Sequence, residues 1–189
     1  MPDPFPAIIV MAKSPKKDKS SKTADLSAST AQPIDIGLSD KKRKKIAKSL
    51  DCVLADAFTL YLMTHQFHWN VTGPMFNALH VMFEQQYTEQ WAALDEVAER
   101  IRSLGFPAPG SFQELAKLSS IQDAPGIARA PDWKDMVAQL LEGNEAVCRT
   151  VRKAIEVADD ADDEPTEGLL VGRLQVHEKN AWMLRALLQ

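Results

Sequence analysis

Cysteine is scarce in this chain: two in 189 residues, Cys52 and Cys148, at no pairing spacing. That excludes a disulfide framework and fits reduced thiols in a cytoplasmic protein. Glycine is equally sparse, at 8 residues, and runs of alternating apolar and polar residues are missing. With no strand signal the chain reads as all-α. No internal repeat is visible. Nor is there an apolar stretch of membrane-spanning or signal-core length, since Ala7-Ile8-Ile9-Val10 is too short and lies among Pro2, Pro4 and Pro6. No base-reading motif for nucleic acid stands out either.

What is present is helical periodicity. Ile46, Leu50, Val53, Ala57 and Tyr61 recur at helical spacing, as do Trp133, Val137, Leu140, Val147, Val151 and Ile155. Leu170, Leu174, Ala181, Leu184 and Leu188 make a third stripe. These patterns predict helices near 39–70, 74–104, 131–159 and 165–188. Pro74 suits the first turn of the second helix, and Gly105 and Pro107 stop it. The link between the second and third helices is too long for an up-down hairpin, so it implies a crossover of the ferritin-like kind. Within it, Ser111 to Leu118 reads as a short extra helix capped by Ser111. The expected organisation is a polar tail over 1–38 and one four-helix domain over 39–189. Met11 is a possible alternative start.

The most informative stretch is 65–105. It places His68, His80, Glu84, Asp95 and Glu99 in a segment that otherwise reads as buried helix. Burying imidazoles and carboxylates is costly unless they pair or bind metal. A mixed nitrogen and oxygen donor set suits iron, manganese or zinc. His80 and Glu84 are one turn apart, as are Asp95 and Glu99, and all four fall on one stripe of the second helix. Axially they cannot meet, because His80 and Asp95 are separated by roughly 22 Å at ~1.5 Å per residue. One helix therefore carries two half-sites. Completing each with a second antiparallel copy across a two-fold axis is favoured, since the only histidine elsewhere is His177. The alternative is a polar network inside the bundle, satisfied without metal.

The run HWNVTGPMFNALHVMFE, followed by LDEVAERI and a C-terminal HEKNAWMLRALL, resembles the Dps-type mini-ferritins. The resemblance covers about 39–189. It implies a four-helix subunit, a hollow homododecamer, and ferroxidase sites between two-fold-related subunits. Such sites oxidise Fe(II), preferably with hydrogen peroxide rather than dioxygen, and store Fe(III) mineral. By that resemblance His68, His80 and Glu84 come from one subunit and Asp95 and Glu99 from its partner. This chain has Glu84 where the family usually has Asp. His65 stands where many relatives carry Lys or another polar residue; it could ligate, shuttle protons or line the cavity wall. Trp69 is expected to be an aromatic core anchor, with uptake of an oxidising equivalent as the other role.

His177 falls on the apolar stripe of the last helix without an acid three residues before it, so it reads as a packed or interface histidine. The acidic run from Asp159 to Glu164 suits a helix N-terminus or a solvated loop. The resemblance makes Asp163, Glu164 and Glu167 candidates for a cation pore, although Gly168 stands where relatives commonly carry Asp. Charge is unevenly placed. Residues 1–50 hold eleven Lys/Arg against five Asp, a net of +6, which leaves −10 on the rest for the total of −4. Ten of these eleven basic residues are Lys13, Lys16, Lys17, Lys19 and Lys22 in the tail, then Lys41, Lys42, Arg43, Lys44 and Lys45 at the start of the first helix. The helix dipole disfavours positive charge there, which points to a phosphate partner and to non-specific DNA binding through the arms of a nucleoid-associated cage. A solubilising tail is the plainer alternative. The rival readings of the whole are a structural DNA-coating cage with a vestigial metal site, and a regulator that merely shares the bundle.

Overall fold

The computed structural model describes residues 34–122 and 131–189. Five helices account for most of them: α1 Asp40–Asn70, α2 Phe76–Ser103, α3 Phe112–Leu118, α4 Trp133–Asp159 and α5 Glu164–Ala186. Among the described residues there is no strand. α1 and α2 are joined by a tight turn and run antiparallel, as are α4 and α5. α1 packs on both α2 and α4, α5 packs closely on α4 and more loosely on α2, and α3 lies across α1. The link from α2 to α4 contains α3, so the crossover expected from its length is present. No helix among the described residues is long and apolar enough to cross a membrane.

The helix limits have local causes. Ser39 caps α1 by accepting from the Lys42 amide. Ser111 and Glu114 form a reciprocal capping box at α3. Asp132 accepts from the amides of Lys134 and Asp135 at the start of α4. α2 ends in a Schellman turn: the Phe106 amide donates to Ile101 O and the Gly105 amide to Arg102 O. Gly105 has φ +95° there. Pro74 does not enter α2 as its first turn; it sits in the preceding turn, beside Gly73 at φ +94°, and the helix begins two residues later.

The stripes read from the sequence form the core. Ile46, Leu50, Val53, Val137, Leu140, Val147, Val151, Leu170 and Leu184 are buried, while Leu188 is exposed. Phe67 of α1 and Phe83 of α2 fill the space between them. At Gly143 of α4 an added Cβ would meet Leu60 Cδ1 at 2.8 Å, so a side chain there would require the Leu60 side chain of α1 to shift. Leu38 packs on this core as well, and Ile34 lies against Gly105.

Three residues of the basic run at the start of α1 have partners inside the chain. Arg43 is buried, donates to the carbonyls of Leu104 at 2.6 Å and Leu38 at 3.3 Å, and pairs with Asp40. Lys42 reaches Asp162 at 2.9 Å and the Ala161 carbonyl at 3.0 Å, and Lys45 reaches Asp160 at 3.1 Å. The placement that looked unfavourable on an isolated helix is compensated by packing. The start of α1 lies beside the C-terminal ends of α2 and α4, where carbonyls and the acidic turn gather negative charge. Arg43 is thus taken up inside the chain, whereas Lys42 and Lys45 make surface pairs with side chains 43% and 58% exposed. Lys41 and Lys44 are exposed. The tail lysines Lys13, Lys16, Lys17, Lys19 and Lys22 lie outside the described residues.

Candidate metal centre

His68 is in the last turn of α1 and His80 in the second turn of α2, facing each other across the turn. Their rings stack with centroids 3.8 Å apart and planes 16° from parallel. His68 Nδ1 lies 2.9 Å from the carbonyl oxygen of His80, and His80 Nδ1 lies 2.9 Å from that of His68. A carbonyl can only accept, so both Nδ1 atoms carry the proton. In the neutral rings each Nε2 then holds the lone pair, the arrangement that prepares an imidazole for a metal. Phe76 stacks on the outer side of His80 at 5.1 Å.

Glu84 follows His80 by one turn and is exposed. Asp95 and Glu99 lie further along α2, also exposed. The fold thus brings the two imidazoles together, leaves Glu84 one turn on, and leaves the second acid pair at the far end. Among the described residues no three His, Cys, Asp or Glu side chains converge closely enough to hold a metal ion. The expectation that all five occupy buried helix is corrected: His68 alone is buried, and the carboxylates stand on the outer flank of α2. A satisfied network in the bundle interior does not describe them either.

Asp95 lines a groove of about 690 Å³ walled by Leu54, Phe58, Trp91 and Leu115. Around it the chain exposes large apolar groups, among them Trp91, Phe112 and, near the imidazoles, Trp69 and Phe76. Trp69, expected as a core anchor, is instead 66% exposed, with its ring against His65 at 4.2 Å. The α1 helix turns it outward because Phe67 and His68 take the inward positions.

His65 sits in a cluster of rings. It stacks face to face on Tyr87 at 3.9 Å, and its Nδ1 is 3.2 Å from the Tyr61 hydroxyl. Burial, then the neighbouring His68, hold it below the ordinary histidine pKa, so it is neutral near pH 7.

The bundle interior holds a second polar system that the sequence reading left largely unassigned. His177 is buried, as expected of a packed histidine, and its Nδ1–H donates to Asn144 Oδ1 at 3.0 Å. Arg173 approaches His177 Nε2 at 3.4 Å and pairs with Glu89 of α2. Burial, then the Arg173 charge, push His177 down to about 3. The signal was in the sequence: Arg173 precedes His177 by one turn on the same face.

Asp56 was missed too. It is fully buried on α1 and accepts from the hydroxyls of Ser119, Ser120 and Thr150 at 3.0, 2.9 and 2.6 Å, and from the Ser120 amide. Its trace in the sequence is an acid inside an apolar stripe.

Of the acids considered for a pore, Asp163 is buried and committed to its own chain. It caps α5, accepts from Thr166, and pairs with Arg100 at 2.6 Å. Burial raises its carboxyl, but the hydrogen bonds from Arg100 and Thr166 and the Arg100 charge outweigh it and hold the group below the usual range. Glu164 is exposed and Glu167 half-buried in the first turn of α5.

Residues 47–189 match the ferritin-like domain family. DNA protection during starvation protein 2 of Bacillus anthracis is 39% identical over 145 residues, covering 77% of this chain and 97% of that protein. Among solved structures, the Vibrio cholerae DPS protein, described as a member of the ferritin-like diiron-carboxylate superfamily, superposes with a TM-score of 0.78 at 31% identity, over 85% of this chain and all (100%) of the other. DpsC from Streptomyces coelicolor reaches 0.80 at 27% identity, over 84% and 91% of the two chains.

Proposed function

We propose, since the chain belongs to the ferritin-like family and within it to the Dps-type mini-ferritins, that it oxidises Fe(II) at sites completed between two subunits and stores the Fe(III) product in a twelve-subunit cage. One observation carries this reading. The His68–His80 pair presents two tautomer-locked nitrogens at one end of α2, while Asp95 and Glu99 stand unmatched at the other. An antiparallel second copy would bring the acids of one chain to the imidazoles and Glu84 of the next. The same contact would cover the aromatic face and the groove at Asp95.

Iron is the substrate here. Two Fe(II) held together supply the two electrons that take hydrogen peroxide to two waters, so no hydroxyl radical leaves the site. His68 and His80 would bind through Nε2, with the donated Nδ1 protons fixing ring orientation. Glu84, Asp95 and Glu99 would offset the cationic charge. Dioxygen is the alternative oxidant. Glu164 and Glu167 would draw cations toward the shell, Asp163 being spent on Arg100. Protection of DNA would follow from removing iron and peroxide beside the nucleoid. Direct contact with DNA would rest on the tail lysines with Lys41 and Lys44.

The test is complementation. His80→Ala alone and Asp95→Ala/Glu99→Ala alone should both lose peroxide-driven Fe(II) oxidation. Subunits of the two variants, refolded together, should regain it, because each mixed pair contains one site with both halves intact. No recovery, in assemblies of normal size, would sink the shared-site reading. Oxidation undiminished in either variant would leave the DNA-coating cage as the better account.

A further inference from the structure

We propose that the seam between α2 and α5 is a blind, hydrated cleft that ends in a built water site at the centre of the bundle, walled by Gln90, Arg173 and His177. Its occupant is a single water molecule, and iron plays no part in it.

Gln86 and Gln90 stand one turn apart on α2 and are only 5% and 1% exposed. Among the described residues neither amide has a hydrogen-bond partner for its nitrogen or its oxygen. A dry buried amide is destabilising, so these two need partners. A second chain cannot supply one to Gln90, which its own bundle encloses. Gln90 lines a cavity with Arg173 and His177, and the rest of the wall is apolar, with Val97 and Val151 among it. The cavity measures about 10 Å³, counted as space open to the centre of a water molecule, which is close to what one water requires.

The polar part of the wall suits that occupant. His177 donates its Nδ1 proton to Asn144, so Nε2 keeps a lone pair and can accept. The Arg173 guanidinium reaches that nitrogen only at 3.4 Å, a long contact. A water beside them accepts from Arg173 and donates to His177 Nε2 and to Gln90 Oε1, the three bonds ordinary for a buried water. Both oxygens of Glu89 pair with Arg173 and balance its charge, so an anion has no claim on the site. A solute with two oxygens, such as hydrogen peroxide, exceeds the space.

Access comes from a groove of about 300 Å³ between α2 and α5, lined by Gln86, Glu89 and Asn180 together with Met82 and Met183. Glu89 thus lines the groove and Arg173 the cavity, so their ion pair is the partition between solvent and the inner water. α5 packs only loosely on α2. Water does between these two helices what interdigitated side chains do between α1 and α2. It thereby sets the spacing of the helix that carries His80, Glu84, Asp95 and Glu99.

The test is high-resolution diffraction from the full-length assembly, with one variant and one soak. Density for a single oxygen is expected within about 2.7–3.2 Å of an Arg173 nitrogen and of His177 Nε2, with the Gln90 amide turned toward it. Gln90→Met keeps the length of the side chain and removes its amide. Its thermal midpoint should fall by about 2–4 °C at the same scan rate, since the water loses a partner. A dry amide predicts the reverse, because the same change would then remove an unsatisfied group; a midpoint unchanged or raised overturns the site. So does wild-type density in which Gln86 and Gln90 bond to each other and no water stands at His177. An anomalous peak in the cavity after a bromide soak would make it an anion site and overturn the water reading as well. Diffraction from wild type decides the matter even where Gln90→Met fails to assemble.

Discussion

A single imidazole shows how far burial sets chemistry. His177 is neutral in the fold, with its pKa near 3 against an ordinary 6.5. Between those values the unfolded chain binds a proton that the folded chain refuses, so the His177 contribution to stability is complete above about pH 6.5 and is lost as pH falls. Asp51 acts in the opposite sense, because burial pushes its carboxyl up to about 6 despite the Lys48 charge. The measurement is therefore urea unfolding of wild type against His177→Gln from pH 8 to pH 4. The difference between the two should change by up to about 1.4 kcal/mol per pH unit below pH 6.5 and stay flat above it. The packed role of His177 was readable from its place on an apolar stripe. Arg173, one turn earlier on α5, was readable in the same way, but Asn144 was not, because it meets His177 only through packing of α4 on α5 that no local spacing encodes.

Elements are held at particular points, and those points can be tested. Asp56 ties α1 to the segment after α3 and to Thr150 of α4. Asp56→Ala would strand three hydroxyls and an amide, and should cost about 3 kcal/mol of stability, read by urea unfolding. Proteolysis at 119–122 should become faster in the same variant. At the end of α2, Gly105 adopts φ +95°, and an added Cβ would lie 2.3 Å from Ile34 Cδ1 and 2.9 Å from Arg43 Nη1. Gly105→Ala should lose more than ~1 kcal/mol, and its thermal midpoint should fall accordingly. Helix limits were legible here because caps and breakers are local: Ser111 with Glu114, and Gly105 with Pro107. The charge runs were not. Lys42 and Lys45 look uncompensated until α1 is laid beside the turn that carries Asp160 and Asp162. Nothing in the sequence shows that two runs of opposite sign, over a hundred residues apart, are each other's counter-ions.

For the whole molecule, the exposed face is the main fact. Trp69 and Trp91 are more than half exposed in the chain, and the proposed two-fold contact would bury both. Tryptophan emission should lie to the blue in the assembly and shift to the red on dissociation at low concentration or mild acid. An unchanged spectrum across a dissociation followed by light scattering would place the contact elsewhere. The separation of His80 from Asp95 along α2 was legible because axial distance on one helix is simple arithmetic, whereas the exposure of the carboxylates was not, since a stripe of acids on an amphipathic helix does not say which flank faces water. The reciprocal bonds between His68 and His80 carry a last consequence, for inheritance. Each ring is oriented by the other helix's carbonyl, so the turn at 71–75 sets the attitude of both. Natural variation there, at Gly73 above all, should be filtered as strictly as variation in the histidines themselves. On the proposed role of the two imidazoles, selection on metal chemistry would extend to turn residues that never touch a metal.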